Sequence, residues 1–140
     1  MNNIIGIVNY GVAGNTHSIK KALKKAGGKV IIINKPEDFS IVDKIVIPGV
    51  GSFRGAMKEL HGDMFINEIT SFQKPVLGIC LGMQIMAEYG HEYGKSKGLG
   101  LLDGEVMRIV CDDKIPHVGF NTIELLNENI LLEGIENEEF

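Results

Sequence analysis

Basic residues are few in this chain of 140, with 14 lysines and arginines against 18 aspartates and glutamates and a net charge of −4. That balance lacks the electrostatic footprint with which proteins bind nucleic acid or an anionic membrane surface, so neither is an expected partner. Cysteine is scarce as well: only Cys80 and Cys111 are present. No amino-terminal signal pattern accompanies them, and a reducing compartment, the cytoplasm, is the expected location. No Cys-x-x-Cys pair suggests redox work. The longest apolar runs, around Lys29–Ile33 and Ile45–Ile47, fall far short of the roughly 20 residues that a membrane-spanning helix needs, so a soluble protein is expected. Internal repeats and low-complexity tracts are absent too.

What remains is a chain with 44 % hydrophobic residues, enough for one domain with a real core and too short for two comfortable ones. A single domain over residues 1–140 is the expectation. Ile4 to Val8 is a short apolar run. After a glycine-rich loop, Thr16 to Ala26 carries Ile19, Ala22, Leu23 and Ala26 between lysines, the pattern of an amphipathic helix. Gly27-Gly28 ends it. Two β-branched runs follow, Val30–Ile33 and Ile45–Ile47, of the kind found in strands buried on both faces. Gly55 to Leu60 and Met64 to Phe72 read as helices, Val76 to Ile79 as a strand and Leu81 to Tyr89 as a helix. Strands alternating with helices predict an α/β domain with a doubly wound, mostly parallel sheet. From Gly98 onward, Gly104 to Val110 and Phe120 to Leu125 alternate in polarity, which predicts an antiparallel extension.

Cys80 is the most informative residue. It lies in Val76-Leu77-Gly78-Ile79-Cys80-Leu81-Gly82-Met83-Gln84, where an apolar run meets a cysteine with glycine on either side and then a helical pattern. Small flanking residues let the backbone bend sharply and push a reactive atom into a cleft, as in the nucleophile elbow of hydrolases, and helix-terminal amides there favour the nucleophilic thiolate. The alternative is a structural core cysteine, since free cysteine is often buried. A thiolate that attacks a carboxamide carbonyl creates an oxyanion needing two preorganised N–H donors. One would be the amide after the nucleophile, Leu81. The other would come from Pro48-Gly49-Val50-Gly51-Ser52, because loops after successive parallel strands converge on one carboxyl edge; an ordinary strand-end turn is the competing reading.

Two phosphate-binding decoys fall away. Gly90-His91-Glu92-Tyr93-Gly94-Lys95-Ser96 has three residues between its glycines where a Walker loop has four, and it follows a helical pattern instead of a strand. Gly49 to Gly55 has one residue too many for the dinucleotide fingerprint. No cofactor and no metal are expected.

These segments, with Asn9-Tyr10-Gly11-Val12-Ala13-Gly14-Asn15, Gly98-Leu99-Gly100-Leu101-Leu102 and Pro116-His117-Val118-Gly119-Phe120-Asn121, resemble the class I glutamine amidotransferases. The Pro-His-x-Gly-aromatic-Asn segment resembles in particular the glutaminase subunits of imidazole glycerol phosphate synthase. The resemblance implies a flavodoxin-like fold that hydrolyses L-glutamine through a cysteine thioester and passes ammonia to a (β/α)8-barrel cyclase subunit, in a heterodimer of histidine biosynthesis. By position it makes Cys80 the nucleophile, the Gly51 and Leu81 amides the oxyanion hole, Gly49, Gln84 and Glu92 substrate-binding, and Asn15, Pro116, Phe120 and Asn121 the partner interface. Chemistry supports Glu92, since an α-ammonium group calls for a carboxylate; a solvated loop charge is the alternative. Gln84 stands one helical turn beyond Cys80 on the same face. Phe120, where the family commonly has tryptophan, fits either an interface anchor or a core strand. Asn9 stands where aspartate is common, and the first loop is one residue longer than the family's usual spacing.

The family also uses a later His-x-Glu pair, the histidine moving the proton and the glutamate orienting the ring. None of His17, His61, His91 and His117 stands two residues before a glutamate. The resemblance spans about the first two-thirds of the family's length, so a form lacking its C-terminal part, with little or no turnover, is the expectation. A paralogue feeding ammonia to a sugar amidation pathway and a non-catalytic docking scaffold are the alternatives.

Overall fold

β-Branched side chains are stiff at χ1 and fit a pleated surface, so the isoleucine–valine runs favour strands. In a computed structural model, which describes residues 3–11, 16–62, 64–112, 114–116, 118–126 and 130–133, they form β1 (Ile4–Val8), β2 (Lys29–Ile33) and β3 (Lys44–Ile47), joined by β4 (Val76–Gly78). All pairings are parallel, in the order β2-β1-β3-β4. The register sets Ile7 beside Ile32 and Val46, and Ile47 beside Gly78.

Parallel strands need crossovers, and the helices that supply them cover both faces. Alternation along the strands turns Ile7, Val30 and Val46 to one side, where Ile19 and Leu23 of α1 (Thr16–Lys25) pack. Val8, Ile33, Ile45 and Ile47 turn to the other. There α2 (Phe53–Gly62) buries Phe53, Ala56, Met57 and Leu60, a stripe at helical spacing, and α3 (Phe65–Thr70) adds Phe65 and Ile69. Burying each of the larger side chains among these contributes roughly 1.5–3 kcal/mol. A 3-10 turn at Pro36–Ile41, invisible to periodicity, inserts Phe39 into the same cluster. The expected fold class is borne out.

Beyond β4 the elements differ from the sequence reading. The helix expected over Leu81 to Tyr89 is a single turn, α4 (Leu81–Gln84), followed by β5 (Ala87–Gly90). Its period of apolar residues is real, but tertiary packing overrides it: a Cβ on Gly98 would lie 2.1 Å from the Ala87 carbonyl oxygen, so the chain returning through Gly98 fits only flat against an extended segment. With β6 (Ser96–Lys97) and β7 (Leu102–Val106), β5 makes a second sheet that begins at Ala87, not after residue 98. It is mixed, β5–β6 antiparallel and β5–β7 parallel, because the β5–β6 link is a tight turn and the route to β7 is long. The strand expected over Phe120 to Leu125 is reduced to an isolated bridge at Thr122.

The chain divides into two units, residues 1–108 and 109–140. The first holds both sheets; in the second, no described residue is buried. Among the described residues no helix is long and apolar enough to cross a membrane.

Candidate active site

The elbow is built by crowding. A Cβ on Gly82 would come within 1.9 Å of the Ile47 carbonyl oxygen, so only glycine lets the chain double back against the end of β3. The bend forces Cys80 to φ +54°, ψ −118°, a conformation that costs a residue with a side chain about 1–3 kcal/mol. The amides of Gly82, Met83 and Gln84 are engaged by carbonyls of Ile79 and Cys80. The Leu81 amide, first in α4, has no acceptor in its own helix. Cys80 is exposed, which sets aside the core-cysteine reading, and neither Cys80 nor Cys111 is disulfide-bonded.

The Pro48–Ser52 turn abuts this elbow. Ile79 N–H donates to the Ile47 carbonyl at 3.0 Å, tying the end of β4 to the end of β3. Gly51 adopts φ +90°, a conformation open to glycine. Tyr10, 2 % exposed, donates its hydroxyl to the Pro48 carbonyl at 2.6 Å, and burial pushes its pKa up to about 12.

Gly51, Cys80, Leu81, Gln84 and Glu92 line one cleft of about 560 Å³, within the range of small-molecule sites. Gly49 does not line it. A Cβ there would meet the Gly82 nitrogen at 2.6 Å, so Gly49 is the contact surface between turn and elbow. Glu92 is no loosely solvated loop charge: its Oε2 accepts the Phe53 N–H at 2.9 Å at the start of α2, where the helix dipole favours a carboxylate. Another depression, about 600 Å³ and beside Phe39 and Phe72, gathers none of the expected residues and is more open. Among the described residues no three His, Cys, Asp or Glu side chains gather as a metal ion would need.

Three features escaped the sequence reading. Tyr10 belonged to a quoted motif but had no role. His91, noted in the sequence only for lacking a glutamate two residues on, is half-buried in the cleft lining and pairs through Nε2 with Glu105 on β7. Lys95 also bonds Glu105, at 2.8 Å, and lies over the Tyr89 ring. Lys95 first and His91 second hold the Glu105 carboxyl below its ordinary pKa. Arg108, just past β7, lines the cleft too. Only the cross-strand pairing of β5 with β7 could have signalled the last two, and a helix over 81–89 hid it.

Of the expected interface residues, Asn15 lies outside the described residues, as does His117. Pro116, Phe120 and Asn121 are exposed in the second unit, Phe120 to 83 %, so it is no core strand residue.

Comparison with known proteins gives a consistent picture. The family model "Glutamine amidotransferase class-I" matches residues 7–138. An "Imidazole glycerol phosphate synthase subunit HisH" of Desulfitobacterium hafniense (strain DSM 10664 / DCB-2) is 44 % identical, over 98 % of this chain and 66 % of its own length. "Imidazole glycerol phosphate synthase subunit HisH 1" of Campylobacter jejuni subsp. jejuni serotype O:23/36 (strain 81-176) is 43 % identical, over 96 % of this chain and 70 % of its own. The HisH subunit of Bacillus subtilis (strain 168) is 39 % identical over 95 % and 66 %, respectively. The chain thus spans about two thirds of the length of the curated relatives it matches. A solved structure described as "Crystal structure of glutamine amidotransferase" superposes with a TM-score of 0.61 at 21 % identity, covering 72 % of this chain and 54 % of that one, and shares the fold.

Proposed function

The chain belongs to the class-I glutamine amidotransferase family, and from that premise we propose that it carries the nucleophile half of a glutaminase subunit. The observation that supports this most is the strained, exposed Cys80 facing the cleft that Gly51, Leu81, Gln84 and Glu92 share. The Cys80 thiolate adds to the side-chain carbonyl carbon of glutamine. The resulting oxyanion is held by the amides of Leu81 and Gly51. Collapse breaks the carbon–nitrogen bond, the nitrogen leaves as ammonia after taking up a proton, and a γ-glutamyl thioester remains. Water then cleaves the thioester to glutamate and regenerates the thiol. Glu92 pairs with the substrate's α-ammonium group, and Gln84 orients it from the same cleft.

The ammonia passes to a synthase partner, a (β/α)8-barrel cyclase in a heterodimer of histidine biosynthesis; the names of the relatives favour this over a sugar amidation pathway. Pro116, Phe120, Asn121 and Asn15 belong to the docking surface in this reading, and the cytoplasm is the compartment. The 140 residues form the glutamine-binding part of one amidotransferase domain.

Covalent labelling tests the assignment. A diazoketone analogue of L-glutamine is expected to modify Cys80 with saturation, to spare Cys111, and to be blocked by excess L-glutamine. Equal modification of both thiols, or no protection, sinks the glutaminase reading and leaves a docking scaffold.

A further inference from the structure

An oxyanion hole works only if its donors stand in place before charge develops. The Leu81 amide is placed by the elbow, where the next three amides are already bonded and Gly82 sits hard against the Ile47 carbonyl. The donor on the other side has less to hold it. Gly49 packs on the elbow, but from Gly49 to Gly51 neither amides nor carbonyls make a hydrogen bond with any described residue, and a Cβ on Gly51 would meet nothing within 4 Å. The segment hangs between two fixed ends. At the far end the Ser52 carbonyl accepts the Ala56 N–H at 2.9 Å and its hydroxyl oxygen accepts the Gly55 N–H at 3.2 Å, which ties it to α2. At the near end, among the described residues, the Pro48 carbonyl is held by one hydrogen bond, from the buried Tyr10 hydroxyl at 2.6 Å. A carbonyl and the N–H that follows it share one peptide plane, so fixing the Pro48 oxygen fixes the direction in which the chain enters Gly49.

Tyr10 is itself a firm point. Asn9 N–H before it donates to the Ile33 carbonyl at 3.0 Å, and a Cβ on Gly11 after it would lie 2.5 Å from Glu59 Oε2 on α2. Its ring is enclosed in the core cluster with Phe53 and Leu81. We propose that Tyr10 is a positioning residue for catalysis: its hydroxyl, by holding the Pro48 carbonyl, sets the turn so that the Gly51 N–H meets the developing oxyanion. The proposal rests on the glutaminase reading and adds to it a residue that touches neither the substrate nor the reacting atoms. Its effect falls on the rate at which Cys80 adds to a carbonyl, and not on substrate affinity or on the intrinsic reactivity of the thiol.

The experiment uses the full 140-residue chain and two reagents. With the γ-(4-nitrophenyl) ester of L-glutamate, the Cys80 thiolate adds to the γ-carbonyl carbon, the oxyanion collapses, and the carbon–oxygen bond breaks. 4-Nitrophenolate leaves with the electron pair and needs no proton, a γ-glutamyl thioester remains, and the burst of nitrophenolate gives the acylation rate and its half-saturation. Chloroacetamide alkylates the same sulfur by displacing chloride and passes through no oxyanion. Tyr10→Phe should slow acylation about tenfold, short of the roughly 10²–10³-fold lost when an oxyanion-hole donor itself is removed, and leave half-saturation and chloroacetamide alkylation unchanged. In a Gly51→Ala background, where a side chain is strained at φ +90° and the donor is already displaced, Tyr10→Phe should slow acylation little further. Unchanged acylation, a slowing shared equally with chloroacetamide, a change confined to half-saturation, or full additivity with Gly51→Ala overturns the assignment and leaves Tyr10 a packing residue. If the wild-type chain gives no saturable burst that L-glutamine suppresses and Cys80→Ala abolishes, the glutaminase reading itself fails and takes this inference with it.

Discussion

Tyr10 holds the turn that ends in Gly51 through one short hydrogen bond to the Pro48 carbonyl. A buried phenol resists ionisation because its anion would lose water without gaining a cation, and this explains the rise of its pKa from 10.0 to about 12. The sign of the pH effect follows. The neutral phenol's contribution to stability is complete below pH 10, where folded and unfolded chains both keep the proton. It is lost as pH rises from about 10 through about 12, by up to about 3 kcal/mol. Tyr10→Phe is expected to cost about 1–2 kcal/mol at neutral pH by leaving a buried carbonyl unsatisfied. Its deficit relative to wild type should narrow above pH 10. Urea unfolding of both proteins from pH 7 to 11.5 checks this, and parallel pH profiles would contradict it. The sharp bend at Cys80 was legible because glycine spacing reports directly on backbone bending; a tyrosine reaching across the sheet leaves no such mark in the sequence.

At the scale of elements, the strands of the first sheet and the helices between them were readable because each is long enough for its period to show. The segment from Leu81 to Tyr89 was not. Leu81, Ile85 and Met86 satisfy a helical spacing, and the contest was decided by Gly98, which brings backbone against Ala87 from outside the segment. The pairing of His91 and Lys95 with Glu105 lay hidden for the same reason: the partners meet only once β5 and β7 are neighbours. That network braces the turn carrying Glu92. Its pairs are largely solvated, so Glu105→Gln is expected to change global stability by less than about 0.5 kcal/mol. The amides of residues 92–95 should nonetheless exchange with solvent several-fold faster as the turn opens locally. Hydrogen-exchange mass spectrometry over residues 87–106 measures it, and unchanged exchange there would show the network to be idle.

At the scale of the whole molecule, burial among the described residues is confined to residues 1–108, and none of those from 109 to 133 is buried. Backbone without burial opens readily to proteases. Trypsin is therefore expected to cut first after Arg108 or Lys114 and to leave a persistent fragment made of the first unit. Early cleavage within α2 or between β3 and β4 would refute that division. Within the fragment, β3 has two duties: it runs straight into the turn bearing Gly51, and it is the one strand paired with β4, which leads to Cys80. The Cys80 sulfur and the Gly51 turn are thus joined through one pair of neighbouring strands. Because β4 is the edge of that sheet, its ladder with β3 sets the spacing between the turn and the elbow, and motion of β2 or β1 reaches that spacing only through β3.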